Sequence, residues 1–183
     1  EKVYYSRKQF KKAKGTEIGE NILLDLFSKN GFTIISPEQL TLDEQIAVVR
    51  NTKLLCGIIG TLGHNMLFAK PEQHMILVNK THNINVAQMD INKMKNLDMT
   101  YIDSYLAEFP SLIGNGPFLI TYSEMLNQYV EKHNWKKPAE DVISETVLKR
   151  NLQEYEEMYR SRNLKNCLLK TSPRTTDRSL STN

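Results

Sequence analysis

Cysteine is scarce in this chain of 183 residues: there are two, Cys56 in an apolar run and Cys167 in a polar stretch near the end. Two thiols make no disulfide framework and cannot alone supply the four ligands of a structural zinc site. They point to a reducing compartment, read here as the cytoplasm. No apolar run approaches the ~18 residues of a membrane-spanning helix, and no early segment has the basic, apolar, small-residue order of a signal peptide. Eight glycines and six prolines are too few for a collagen-like or low-complexity chain. What is present is 40% hydrophobic and 25% charged residues, enough for a buried core with a soluble surface. The length suits one domain, or one domain with an appendage. The chain starts at Glu1 rather than Met and enters at once into a strand-like run, which reads as a piece of a longer protein.

The net charge of +3 hides a strong division along the chain. Residues 1–14 carry a net +5 and residues 161–183 a net +4, so the body between them is at −6. Nucleic-acid binders of this size more often spread basic charge over a folded face, so nucleic acid is not an expected partner. The first basic cluster follows a strand and suits a compact anion such as a diphosphate. The second resembles a solvated tail, and disorder is expected beyond about residue 171.

Apolar runs and helical stripes alternate. Val3 to Ser6 is rich in β-formers. Ile18, Ile22 and Leu26, with Leu23 and Phe27, form a helical stripe, with Glu17 and Glu20 at its start and Gly31 at its stop. Phe32 to Ser36 reads as a short strand ended by Pro37. Thr41 and Glu44 form a capping-box pair ahead of Leu42, Ile46 and Val49. Leu54 to Ile59 and His74 to Asn79 are apolar without alternation, as in strands covered on both faces of a parallel sheet. Asp98 to Ile102 adds a further strand, Tyr122 to His133 turns helical, and after Pro138 a longer helix carries Ile143, Leu152, Tyr155 and Tyr159. The pattern predicts an α/β fold, a Rossmann-like parallel sheet flanked by helices, over residues 1–160, followed by a basic, flexible tail over 161–183.

Three places could carry chemistry. Gly57 to Phe68 runs from a buried strand into a predicted helix, and ligands of open α/β sheets bind at such strand ends. There Gly60 would let the main chain approach a ligand, Thr61 could cap the helix, and His64 and Asn65 would lie in its first turn. The segment is neither a phosphate-binding loop with Gly-Lys-Ser/Thr nor a clean GxGxxG, and a tight turn with glycines for packing explains it equally well. Ser6-Arg7-Lys8 ends the first strand, where an Arg fork and a Lys point charge suit a diphosphate, although a solvated basic loop is the common fate of such a run. Glu44 either closes the cap with Thr41 or turns its carboxylate to a sugar hydroxyl. The loop at 79–85 follows another strand end and reads as solvated. His74, His82 and His133 have no metal-ligand spacing, so no metal and no cofactor is expected.

In order and spacing, Val3-Tyr4-Tyr5-Ser6-Arg7-Lys8, Gly31-Phe32 to Pro37-Glu38-Gln39-Leu40, Leu42-Asp43-Glu44-Gln45-Ile46 and the Gly57 to Phe68 segment resemble successive blocks of glycosyltransferase family 61, including its capsular-polysaccharide members. The resemblance covers about residues 2–80. It implies the GT-B architecture, this chain being the C-terminal, donor-binding half, and inverting transfer of a sugar from a nucleotide-sugar donor to a glycan acceptor. It further implies donor-binding roles for Ser6, Arg7, Lys8, Glu44, Gly60, Thr61 and Asn65, and an N-terminal domain as partner. Peripheral contact with the inner face of a membrane would accompany surface-glycan assembly. Many eukaryotic members have Pro-His where this chain has Ile58-Ile59, which makes His64 the candidate catalytic imidazole and leaves the general base unassigned. The alternatives are a non-catalytic nucleotide-sugar-binding module and a structural α/β interaction domain.

Overall fold

The computed structural model describes residues 1–9, 17–83, 85–108 and 116–171. It divides into two units, Glu1–Glu145 and Thr146–Asn183. In chain order the elements are β1 (Lys2–Tyr5), β2 (Glu17–Ile18), α1 (Glu20–Lys29), β3 (Thr33–Ile35), α2 (Leu42–Asn51), β4 (Leu54–Ile58), β5 (His74–Asn79), α3 (Val86–Lys95), β6 (Asp98–Asp103), β7 (Tyr105–Glu108), β8 (Phe118–Ile120), α4 (Glu124–Lys132) and α5 (Glu145–Thr171). Short 3₁₀ segments occupy Pro37–Gln39 and Thr61–Phe68.

Five strands form one sheet in the order β3-β1-β4-β5-β6, and every neighbouring pair is parallel. This is an α/β, Rossmann-like sheet flanked by helices. Both faces are covered, as the absence of alternation in β4 and β5 predicts. Tyr4, Cys56, Ile58, Ile76 and Val78 point to one side, against Leu23, Leu26 and Phe27 of α1 and Leu126 and Val130 of α4. Val3, Tyr5, Leu55, Met75 and Leu77 point to the other, against Val49 of α2 and Met66. An aromatic cluster locks the first face: Phe27 stacks on Tyr4 at 4.7 Å and meets Phe32 edge-on at 5.0 Å, with Trp135 at 5.3 Å from Phe32. Each such pair contributes roughly 0.5–1.5 kcal/mol beyond the area it buries.

A second sheet, β2-β8-β7, departs from the sequence reading. Glu17 and Ile18 do not open α1 but pair in parallel with Phe118 and Leu119 of β8, and β8 pairs antiparallel with β7. Ser104 joins the two sheets: its N–H donates to Asn79 O at 3.2 Å, and its carbonyl accepts from Thr121 N at 3.1 Å. The small sheet therefore stands at the carboxyl ends of the large sheet's strands.

Capping fixes where α2 starts. Thr41 Oγ1 accepts the Glu44 N–H at 3.3 Å, and Glu44 Oε2 accepts from the Thr41 N–H at 2.7 Å and its hydroxyl at 2.8 Å. The capping box expected from sequence is present. In the second unit α5 runs on to Thr171, so the segment 161–171, expected as the start of a flexible tail, is helical. Residues 172–183, where disorder is expected, lie outside the described residues. No helix among the described residues is long and apolar enough to cross a membrane.

Candidate functional site

In the order β3-β1-β4-β5-β6 the chain direction of strand addition reverses between β1 and β4. That reversal leaves a crevice at the strands' carboxyl ends, the place where ligands bind in open α/β sheets. Two segments predicted from sequence meet there. Ser6-Arg7-Lys8 leaves β1 and Ile59-Gly60-Thr61 leaves β4, and the two strands pair from Lys2↔Leu54 to Tyr5↔Gly57. A Cβ added to Gly60 would lie 2.8 Å from Arg7 Nη1, so the guanidinium packs against the bare main chain of that turn.

The turn after Gly60 is not the α-helix expected. Thr61–Phe68 is 3₁₀, Gly60 takes the cap position, and no side chain caps it. Thr61 is thus exposed in the first turn and is not the cap. Gly63 N–H donates to Gly60 O at 3.2 Å, so the N–H groups of Thr61 and Leu62 precede the first bond of the helix.

Arg7 is held from below. Its Nε lies 3.5 Å from Glu17 Oε1, and Lys80 Nζ lies 2.5 Å from the same oxygen. Lys80 Nζ also sits over the Phe118 ring at 4.2 Å. The Arg7 N–H donates to Glu20 Oε1 at 2.9 Å, and the Tyr4 hydroxyl donates to the same atom at 3.2 Å. Ser6 is buried and serves the turn: its Oγ accepts the Lys8 N–H at 3.1 Å. Burial pushes the Glu20 carboxyl above its usual value, against the bonds from Arg7, Ser6 and Tyr4 that pull it down. Burial also lowers the Lys80 ammonium, opposed by Glu17.

The remaining candidates scatter. Lys8 Nζ reaches to Asn21 Oδ1 at 2.7 Å on the exposed start of α1. Glu44 closes the α2 cap, as described above. Asn65 Nδ2 donates to Gln45 Oε1 at 3.1 Å and so ties the 3₁₀ segment to α2. His64 faces α3: Asn85 Oδ1 accepts the Ala87 N–H at 3.0 Å, which turns its Nδ2 to His64 Nε2 at 3.3 Å. Cys56 is fully buried and its thiol is pushed well up, the opposite of an activated nucleophile.

Sequence reasoning missed Glu17, Glu20 and Lys80. The first two read as helix-start acids and the third as part of a solvated loop. In the structure Asn79, Lys80 and Thr81 are buried, and of that loop His82 is exposed. The signal available was the position of Lys80 directly after a buried strand, at the same sheet edge as Arg7.

The class defined by this geometry is a Rossmann-like α/β domain with a basic group at its topological switch point. Residues 1–76 match the family model described as Glycosyltransferase 61. Over that stretch the chain is similar to the family, and the match supports a glycosyltransferase function in general. No curated protein and no solved structure matches the chain.

Proposed function

We propose that this chain is the C-terminal, donor-binding half of an inverting glycosyltransferase of GT-B type, which moves a sugar from a nucleotide-sugar donor to a glycan acceptor in the synthesis of capsular or other surface polysaccharide. The observation that carries the reading is the contact between Arg7 and Gly60 at the switch point. A guanidinium forks onto phosphate oxygens, and main-chain N–H groups at Thr61 and Leu62 add donors on the same turn.

In this mechanism an acceptor hydroxyl attacks the anomeric carbon as the bond to the diphosphate oxygen breaks. The leaving nucleoside diphosphate carries away the electron pair, and the hydroxyl proton passes to a general base. Arg7 and the turn amides meet the charge that grows on the leaving oxygen. The base belongs to the N-terminal half in this reading, because His64 Nε2 is engaged by Asn85 and the carboxylates beside Arg7 are bound by protein donors. The same observation favours a second reading, a module that binds nucleotide sugar without turning it over.

A thermal-shift screen of nucleoside diphosphates and nucleotide sugars tests the proposal. A ligand bound only by the native state at 100 times its dissociation constant stabilises by about 2.7 kcal/mol. A melting temperature unmoved by every diphosphate, at millimolar concentration, would remove the proposal. Donor hydrolysis or transfer by a longer form separates enzyme from binding module.

A further inference from the structure

Lys80 lies beyond the stretch matched to the family, and the diphosphate site described above makes no direct use of it. Its ammonium is buried under Phe118 and bonded to Glu17. The same Glu17 oxygen is within ion-pair distance of Arg7 Nε, so two cations share one carboxylate. Lys80 thus shares the charge of Glu17 with Arg7 at the switch point, where the turn at Gly60 presents its amides. Without Lys80, the charge of Glu17 would fall entirely on Arg7.

We infer that Lys80 is a positioning residue of the donor site: by taking up the charge of Glu17 from below, it keeps the Arg7 side of the cluster positive toward the diphosphate. The inference rests on the donor-binding reading and deepens it. Glu20 adds a second carboxylate to the cluster through the Arg7 main chain, and it is present in every variant compared.

The test is calorimetric titration of the whole chain with inorganic pyrophosphate at one pH and low salt, with melting temperatures recorded for each variant. Lys80→Met keeps the stem and removes the charge, and is expected to weaken binding about tenfold. Adding Glu17→Gln to it removes the carboxylate that would neutralise Arg7, and affinity is expected to return to within about twofold of wild type. Glu17→Gln alone is expected to bind at least as tightly as wild type, and it decides the matter if Lys80→Met does not fold. Lys80→Arg is expected to bind like wild type. A double variant as weak as Lys80→Met would overturn the inference, since Lys80 would then touch the anion itself or act only on the fold. Weaker binding by Glu17→Gln alone would also overturn it. Unchanged affinity in Lys80→Met would end this inference and leave the donor reading standing, whereas failure of wild type to bind pyrophosphate would take both down.

Discussion

Arg7 and Gly60, which end neighbouring parallel strands, stand in contact: Nη1 occupies the space a side chain on Gly60 would need, 2.8 Å from its Cβ position. The guanidinium is the far end of a flexible side chain and can be displaced by Gly60→Ala, but the backbone at Gly60, φ 158° and ψ −166°, is one that residues with a Cβ rarely adopt. We expect the variant to lose about 1–3 kcal/mol of stability in denaturant titration. Its affinity for a nucleoside diphosphate should fall several-fold if the displaced group meets the phosphates as proposed. Unchanged affinity would show that the close approach serves packing.

Gly63 gives a different expectation for binding. A Cβ there would collide with the side chain of Gln88, approaching its Cδ to 3.0 Å and its Oε1 still more closely. Gln88 is fully buried, so it has little room to yield. Gly63→Ala should cost about 1–3 kcal/mol by overpacking, read from urea unfolding. Diphosphate affinity of the folded fraction should stay within about twofold of wild type.

The cap of α2 separates stability from binding in another way. Thr41→Ala removes the hydroxyl that bonds both the Glu44 N–H and the Glu44 carboxylate, and should cost about 1 kcal/mol. If the carboxylate of Glu44 serves the helix alone, diphosphate affinity will not change. Calorimetry on the folded variant checks this, and a several-fold change would assign Glu44 a part in the donor site.

Glu20 predicts a pH dependence of unusual sign. Its folded value is raised above the usual 4.5 by burial, so between the two values the folded state holds more protons than the unfolded one. Stability contributed by Glu20 therefore falls as pH rises through that window. Asp25, held low by Lys29 and Ala139, Glu44, held low by Thr41, and Glu131, held low by Lys137, act the other way and lose their contribution as pH falls. The difference between wild type and Glu20→Gln isolates the residue. That difference should shift against wild type as pH rises from 4.5 toward neutrality, in chemical unfolding at each pH. A flat difference would contradict the shift.

Much of the large sheet is legible in sequence because its inner strands are covered on both faces and so read as unbroken apolar runs. Leu54 to Ile58 and His74 to Asn79 are of this kind, and the rule that ligands gather at carboxyl ends then singles out Arg7 and Gly60. Other parts gave no local signal. In α3 the buried face carries Gln88 beside Ile91, while Val86 and Met94 are 73% and 68% exposed. The strands β2 and β8 are two and three residues long, too short for a period to show. Lys80 looks solvated in sequence because what buries it comes from afar, Glu17 being 63 residues away and Phe118 on another strand.

The central claim is that the Arg7 guanidinium and the Gly60 turn together bind the paired phosphates of a nucleotide-sugar donor. Titrating wild type and Arg7→Ala with the nucleoside diphosphate that gives the largest thermal shift, under identical buffer, measures that claim directly. We predict an affinity loss of about tenfold or more for the variant, with a melting temperature that shows it folded. Equal affinities in the two folded proteins would contradict the account.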